Sequence, residues 1–457
     1  MTTTTAATVP TAERNLILDY YERLPQAVAA LVDDPAPVTE PGAFAPGFAL
    51  PEPDAAVREF FEPARAQWRE LGTYDSHRLV LLDLAGNPGT HTTKTFPSLL
   101  IVARAVEYIR RTGEPVMIFT PTSANKGTAL RDAVARALAA GLATPDQLRI
   151  ATLAPASGRS KLRTGGLSED AELRSRNPLM VYDGERAEDV KALARQFTDT
   201  YAADLKRRHG VNLWYSMDLR NYVVADTARA FFEQDADPTD AARPRLHAHA
   251  VSSAFGMLGY HAGRDVLEAA GTTRPESRPA TLLVQHLGTP DMVLSLRRGS
   301  FDRAGLPHYG RGADGLWRQE ADPRFPGVTE AVDEILDPTF YTHRPATSPA
   351  MNAIITRHGG DGIVISRHEC LERYAALRDR TADHPRPLPA DPRALREWSL
   401  VMALTGVFNA VDRGLVEAGR DVVVHGSGWY ADADVRTPAA SELVPVSTVE
   451  DIAAALL

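Results

Sequence analysis

Cysteine is nearly absent from this chain. Its 457 residues contain one, Cys370, which excludes an internal disulfide and fits a reducing compartment. Basic excess is missing too: a net charge of -9 leaves no electrostatic footprint for nucleic acid. Arg, Asp or Glu interrupts every long apolar stretch, so no run is long enough for a membrane span. Met1 to Thr11 is rich in Thr and Ala and lacks the basic-then-apolar order of a secretory signal. The expectation is a cytoplasmic protein with no nucleic-acid and no membrane partner. What is present is ordinary for a globular protein: 44% hydrophobic and 24% charged residues, in a length that supports two or three packed domains.

The first dozen residues read as disordered. Ala12 to Leu31 carries a rough helical stripe (Leu16, Tyr21, Leu24, Val28), Asp34 to Pro53 is a proline-rich loop, and Asp54 to Leu71 reads as a second helix. Strand and helix signals then alternate. Val80 to Leu84, Val116 to Thr120, Arg149 to Leu153, Leu179 to Tyr182 and Val211 to Tyr215 are apolar strand signals. Helical periods lie between them, the first from Phe96 to Ile109 with Gly113 as its stop. Gln234 to Arg245 is polar and proline-containing and reads as a domain boundary. The alternation restarts at Leu246 to Val251 and Ala280 to Gln285, and a last strand, Asp421 to Val424, follows a helix through Trp398 and Val411. Gly288 to Ser348 gives no clear signal. Such alternation implies right-handed crossovers and parallel sheet. The expected division is an extension over 1–72 and two α/β domains over 73–235 and 236–457.

Four strand-to-helix junctions hold residues capable of chemistry. Asn87-Pro88-Gly89-Thr90-His91-Thr92-Thr93-Lys94 places a lysine amine where a helix begins, and the positive end of the helix dipole disfavours its ammonium form. Thr122-Ser123-Ala124-Asn125-Lys126-Gly127 offers hydroxyls and main-chain N–H groups to a carboxylate or phosphate. Ser252, Ser253, Gly256 and Gly259 form a third junction, and His425-Gly426-Ser427-Gly428 a fourth. Each has a plainer reading: a surface lysine, a Ser/Thr N-cap, a tight turn, a structural histidine. His247 and His249 alternate on a strand without a third ligand nearby. His368-Glu369 has Glu372 where an HExxH element needs histidine. No metal is expected.

In this order the junctions resemble those of the fold type II pyridoxal-phosphate enzymes, the family of threonine synthase, cysteine synthase and the tryptophan synthase β chain. Asn87 to Lys94 is similar to that family's Asn-Pro-Thr-Gly-Ser-Phe-Lys element with one extra residue. Thr120 to Gly127 resembles its Pro-Thr-Ser-Gly-Asn-Thr-Gly loop. Ser252 to Gly259 occupies the place of its phosphate loop, and Gly426 to Gly428 that of its late serine or threonine. Leu219 to Thr227 falls where threonine synthases carry an Asn/Arg-rich segment entering a helix.

The resemblance implies two three-layer α/β domains with the cofactor, pyridoxal 5'-phosphate, in the cleft between them, closing over the substrate in a homodimer. It implies that Lys94 is the Schiff-base lysine and then the base at the substrate Cα. Asn125 would contact the cofactor's 3-oxygen, Thr122 and Ser123 the substrate carboxylate, Ser252, Ser253 and Gly256 the phosphate, and Ser427 the ring nitrogen. A hydroxyl there does not keep that nitrogen protonated, which favours loss of a β or γ leaving group over transamination. The implied function is elimination or replacement on an amino acid in a specialised biosynthetic step. A dehydratase or ammonia-lyase and a non-catalytic ligand binder are the alternatives. Three departures stand out: Thr92-Thr93 replaces Ser-Phe, Ala124 replaces glycine, and Lys126 replaces a small residue. Lys126 would add a cation beside the substrate's anion cradle, admitting a substrate with an extra acidic group.

Overall fold

The computed structural model describes residues 12–339 and 342–457; the expectation of disorder at the N-terminus falls outside them, apart from Ala12. The chain divides into two compact units, each assembled from separate stretches. Of the described residues, one holds 12–14, 65–86 and 229–339 with 342–431, and the other 15–64, 87–228 and 432–457. Neither unit coincides with a contiguous range such as 73–235 or 236–457.

The second unit is built on a five-stranded sheet ordered Val444–Val446, Leu179–Tyr182, Leu148–Pro155, Val116–Pro121, Asn212–Tyr215. All four pairings are parallel. Strands covered on both faces read as continuous apolar runs, and Val116, Met117, Ile118 and Phe119 are all buried. The helix Thr95–Thr112 carries Lys94 at its N-cap and ends on Gly113 at φ 74. That left-handed stop costs glycine nothing.

The first unit carries a seven-stranded sheet ordered Ala12–Asn15, Arg65–Tyr74, His77–Asp83, Asp421–Gly426, Arg245–Ala250, Ala280–His286, Gly360–Ile365. The pairing of Arg65–Tyr74 with His77–Asp83 is antiparallel, and the pairings from His77–Asp83 through to Gly360–Ile365 are parallel. The helix Ser399–Asp412 packs Leu400, Leu404 and Val407 into the core of this sheet. Gly406 lets it come close, since a Cβ there would stand 2.5 Å from Val284 Cγ2.

Two helical expectations hold only in part. Ala12–Asn15 is a strand, and α-helix begins only at Leu24, after a 3-10 turn over Tyr21–Arg23. Asn15 turns the chain: its Oδ1 accepts from the Ile17 and Leu18 N–H groups at 3.1 and 2.9 Å, a local bond that competes with helix. The helix begun at Ala55 ends at Phe61, two residues before Pro63, which has no N–H to continue the helical hydrogen bonds. Arg65–Tyr74 then runs as a strand burying Ala66, Trp68 and Leu71. The region from Gly288 holds a helix, Asp291–Arg298. No helix among the described residues is long and apolar enough to cross a membrane.

Candidate active site

The second unit brings together Lys94, Thr122, Ser123, Asn125 and Lys126; the first holds Ser252, Ser253, Gly256 and Ser427. The Asn87–Thr95 loop is knitted by its own side chains. Asn87 Nδ2 donates to the Thr92 carbonyl at 3.0 Å, and Thr90 Oγ1 lies 2.7 Å from both Asn87 Oδ1 and Thr95 Oγ1. Gly89 lies against Asp132 of the helix Asn125–Ala139, where a Cβ would come within 2.5 Å of the carboxylate. The loop therefore presents a half-buried Lys94 from a fixed frame, with its Nζ 5.7 Å from the centre of the Tyr222 ring.

Thr122 builds the neighbouring loop. Its Oγ1 accepts from the Ala124 N–H at 3.1 Å and the Gly127 N–H at 2.8 Å. Both lone pairs are thereby used, and the hydroxyl proton is left to donate. Ser123 and Asn125 are half-buried at the start of a 15-residue helix. Lys126 is buried, with Nζ donating to the Ser216 carbonyl at 2.8 Å and touching Met217 Sδ at 3.1 Å, 5.8 Å from the centre of the same Tyr222 ring. Tyr222, Ser216 and Met217 were not among the residues expected from sequence. Tyr222 does lie inside the Leu219–Thr227 segment that the family resemblance singled out. In that segment buried Asn221 accepts from buried Arg104, whose guanidinium stacks 3.6 Å from the Phe48 ring centre.

In the first unit, Ser252 and Ser253 are half-buried and their hydroxyls lie 3.0 and 3.4 Å from Thr342 Oγ1. Gly256 is near the start of the helix Phe255–Ala269 and lies on the buried Arg229 guanidinium, where a Cβ would meet NH1 at 2.5 Å. Ser427 N–H donates to the His425 carbonyl at 2.9 Å, at the end of the strand Asp421–Gly426.

Backbone strain marks the same loops. Among the described residues, the non-glycine residues with positive φ are Asp75, His91, Ala124, Ala254 and Arg344. Three of them, His91 at 52°, Ala124 at 139° and Ala254 at 53°, fall in the junctions at residues 87–94, 122–127 and 252–259. Such conformations cost roughly 1–3 kcal/mol each and concentrate at functional sites.

The expectation that His247 and His249 lack a third partner is corrected. His425 stands beside them, 176 residues further along the sequence but on the adjacent strand, paired with His249. All three are buried, with ring nitrogens within 4.8 Å of one another. The hydrogen bonds of His425 and His247 fix where those two carry their protons. Arg229, which can only donate, faces His425 Nδ1 at 3.2 Å. His425 must then carry its proton on Nε2, 2.9 Å from His247 Nδ1, and His247 carries its own on Nε2, 3.0 Å from Glu233 Oε1. An ion held by His425 Nε2 would need a proton on Nδ1, turned against the Arg229 N–H. Burial pushes the Glu233 carboxyl up, but His247 and Arg245 outweigh it and hold it at about 2. The chain of donors thus runs from a fixed cation to a fixed anion.

The fold is that of the fold type II pyridoxal-phosphate enzymes. Threonine synthase from Escherichia coli superposes with a TM-score of 0.51 at 14% identity, over 96% of this chain and 80% of that one. A PLP-bound threonine synthase from Brucella melitensis (TM-score 0.49, 12% identity, 82% of this chain and 72% of that one) is also similar. So is an L-serine ammonia-lyase from Rhizomucor miehei (0.44, 13%, 79% and 90%). At such identities the likeness shows the fold alone, and that argument rests on the first of the three. Within this fold the chain belongs to the family described as a family of unknown function, DUF6002, which it matches over residues 12–457. No curated protein sequence matches it.

Proposed function

We propose that this protein is a pyridoxal-phosphate enzyme that removes, or removes and replaces, a β or γ substituent of an amino acid. The observation that carries the reading is the setting of Lys94. It is a half-buried amine at a helix N-cap, in a side-chain-locked loop, beside a second loop whose threonine hydroxyl stands at the start of the next helix. The residues present fit the cofactor: close-packed glycines at 127 and 256, two serines at a helix start, and left-handed backbone at Ala254.

Bound there, pyridoxal 5'-phosphate supplies an electron sink for the bond to be broken at the substrate Cα. The chain supplies the rest. Lys94 would hold the cofactor through its aldehyde carbon and, once the substrate's amine has displaced it, would take the proton from Cα. Thr122, with its hydroxyl proton free, and Ser123 orient the substrate carboxylate at the start of the helix Asn125–Ala139. Asn125 would hold the cofactor's 3-oxygen, Ser252, Ser253 and Gly256 its phosphate, and Ser427 the ring nitrogen. The same reading takes the protein to be a cytoplasmic homodimer serving a specialised biosynthetic step.

The test is spectral and covalent. Protein supplied with pyridoxal 5'-phosphate is expected to show a visible band that borohydride abolishes, leaving a mass adduct on the peptide that holds Lys94. Lys94→Ala is expected to lose both. A colourless protein with unchanged mass after reduction defeats the proposal, and an adduct surviving in Lys94→Ala removes Lys94 from its role.

A further inference from the structure

Lys126 is expected from sequence to be a fixed cation at the substrate loop. Its surroundings make it something else. The residue is 9% exposed. Its Nζ meets two acceptors, the Ser216 carbonyl at 2.8 Å and Met217 Sδ at 3.1 Å, and no carboxylate pairs with it among the described residues. The titratable groups acting on it are Lys94, Lys191 and Tyr222, whose ring centre lies 5.8 Å from this amine and 5.7 Å from that of Lys94. Burial first, then Lys191 and Lys94, pull its pKa down to about 7. An ammonium has three N–H bonds and this site matches two. A neutral amine keeps both contacts and leaves no N–H without an acceptor.

We propose that Lys126 is the proton donor to the leaving group on the substrate's side chain, a role that rests on the pyridoxal-phosphate reading. The unmatched N–H is the one given up. The substrate's C–X bond breaks with its electron pair on X, and X takes the Lys126 proton and departs as H–X. The pair from the Cα–H bond, whose proton passes to Lys94, forms the new carbon–carbon double bond. Solvent reprotonates Lys126 before the next turnover. An amine titrating near the working pH suits such a transfer, which contributes typically ~10²–10⁴-fold.

The probes are L-serine, whose hydroxide needs an acid to leave, and O-acetyl-L-serine, whose acetate does not. Both are given to the cofactor-loaded protein in D2O, with Cα deuteration and keto-acid release followed by NMR. In Lys126→Met we expect Cα exchange and acetate release to stay within about 3-fold of wild type, and serine elimination to fall by ~10²–10⁴-fold. Lys126→Arg, which keeps the charge but gives up no proton, is expected to behave the same, so a misfolded methionine variant is recognised. Equal losses for both probes, or no loss for serine, overturn the role. A cofactor-free measurement stands beside these: ¹³C-methylated Lys126 in the whole protein is expected to titrate near 7, and a midpoint above about 9.5 overturns the proposal. If the wild-type protein exchanges Cα of neither probe, the enzyme reading falls and the acid role with it. Exchange without selective loss removes the acid role alone.

Discussion

Gly127 donates its N–H to Thr122 Oγ1 at 2.8 Å and approaches that side chain so closely that a Cβ would stand 2.6 Å from Cγ2. The hydroxyl that holds the Thr122–Gly127 loop in shape therefore depends on the missing side chain of the residue five positions on. Gly127→Ala is expected to push Thr122 off its rotamer and cost about 1–3 kcal/mol, as overpacking in a dense site does. Urea denaturation reads the stability, and weakened amino-acid binding reads the loop. An unchanged midpoint would show that the loop absorbs the methyl group.

Ala124 offers the opposite experiment. Its φ of 139° lies where only glycine is at ease. Relief of about 1–3 kcal/mol of strain, less roughly 0.5–1 kcal/mol for the extra freedom of glycine in the unfolded chain, leaves Ala124→Gly more stable by about 1 kcal/mol. Thermal unfolding with and without ligand checks it. A destabilised Ala124→Gly would contradict the strain.

Lys126 carries a stability cost of its own. Its folded pKa of about 7 lies below the ordinary 10.5, so the unfolded chain binds its proton more tightly. The penalty is complete below pH 7 and disappears as pH rises towards 10.5. Lys126→Met is therefore expected to stabilise the protein by on the order of 3–5 kcal/mol at pH 7 and by little at pH 10. Denaturation at the two pH values would reveal it, and a variant destabilised at both would refute the neutral-amine setting.

The histidine chain predicts sensitivity to acid. Burial, with Arg229 next for His249 and His249 next for His425, holds both well below the ordinary 6.5. The unfolded chain takes up these protons first as pH falls, so the stability present above about 6.5 is lost below it. Each such group gives a slope of about 1.4 kcal/mol per pH unit, and His261, also held well below 6.5 by burial, adds a third. His249→Leu is expected to take about 1.4 kcal/mol per pH unit off the slope between pH 6 and 5, measured by urea midpoints. An unaltered slope would mean that His249 does not titrate on unfolding.

The parallel strands and the helix Thr95–Thr112 were legible because they are long, apolar and punctuated by glycine. Local signals failed where one residue overrides a period: Asn15 turns the chain out of a helix with its own side chain, and Pro63 stops another. Of the candidate site, the four junctions were legible as motifs. Tyr222 and the fate of Lys126 were not, because the acceptors at Ser216 and Met217 lie 90 and 91 residues away from that lysine. The third histidine was hidden for the same reason: strand order, not sequence distance, sets it beside His249.

The three-residue strand Val444–Val446 closes the edge of the second unit's sheet on Leu179–Tyr182. On a ribosome this piece emerges only after the whole of residues 229–431 has been made. At ~5–20 residues per second, Leu179–Tyr182 waits for tens of seconds with one side unpaired. A nascent chain stalled before residue 444 would display that bare strand, and chaperone capture or premature self-association is most to be looked for in that interval.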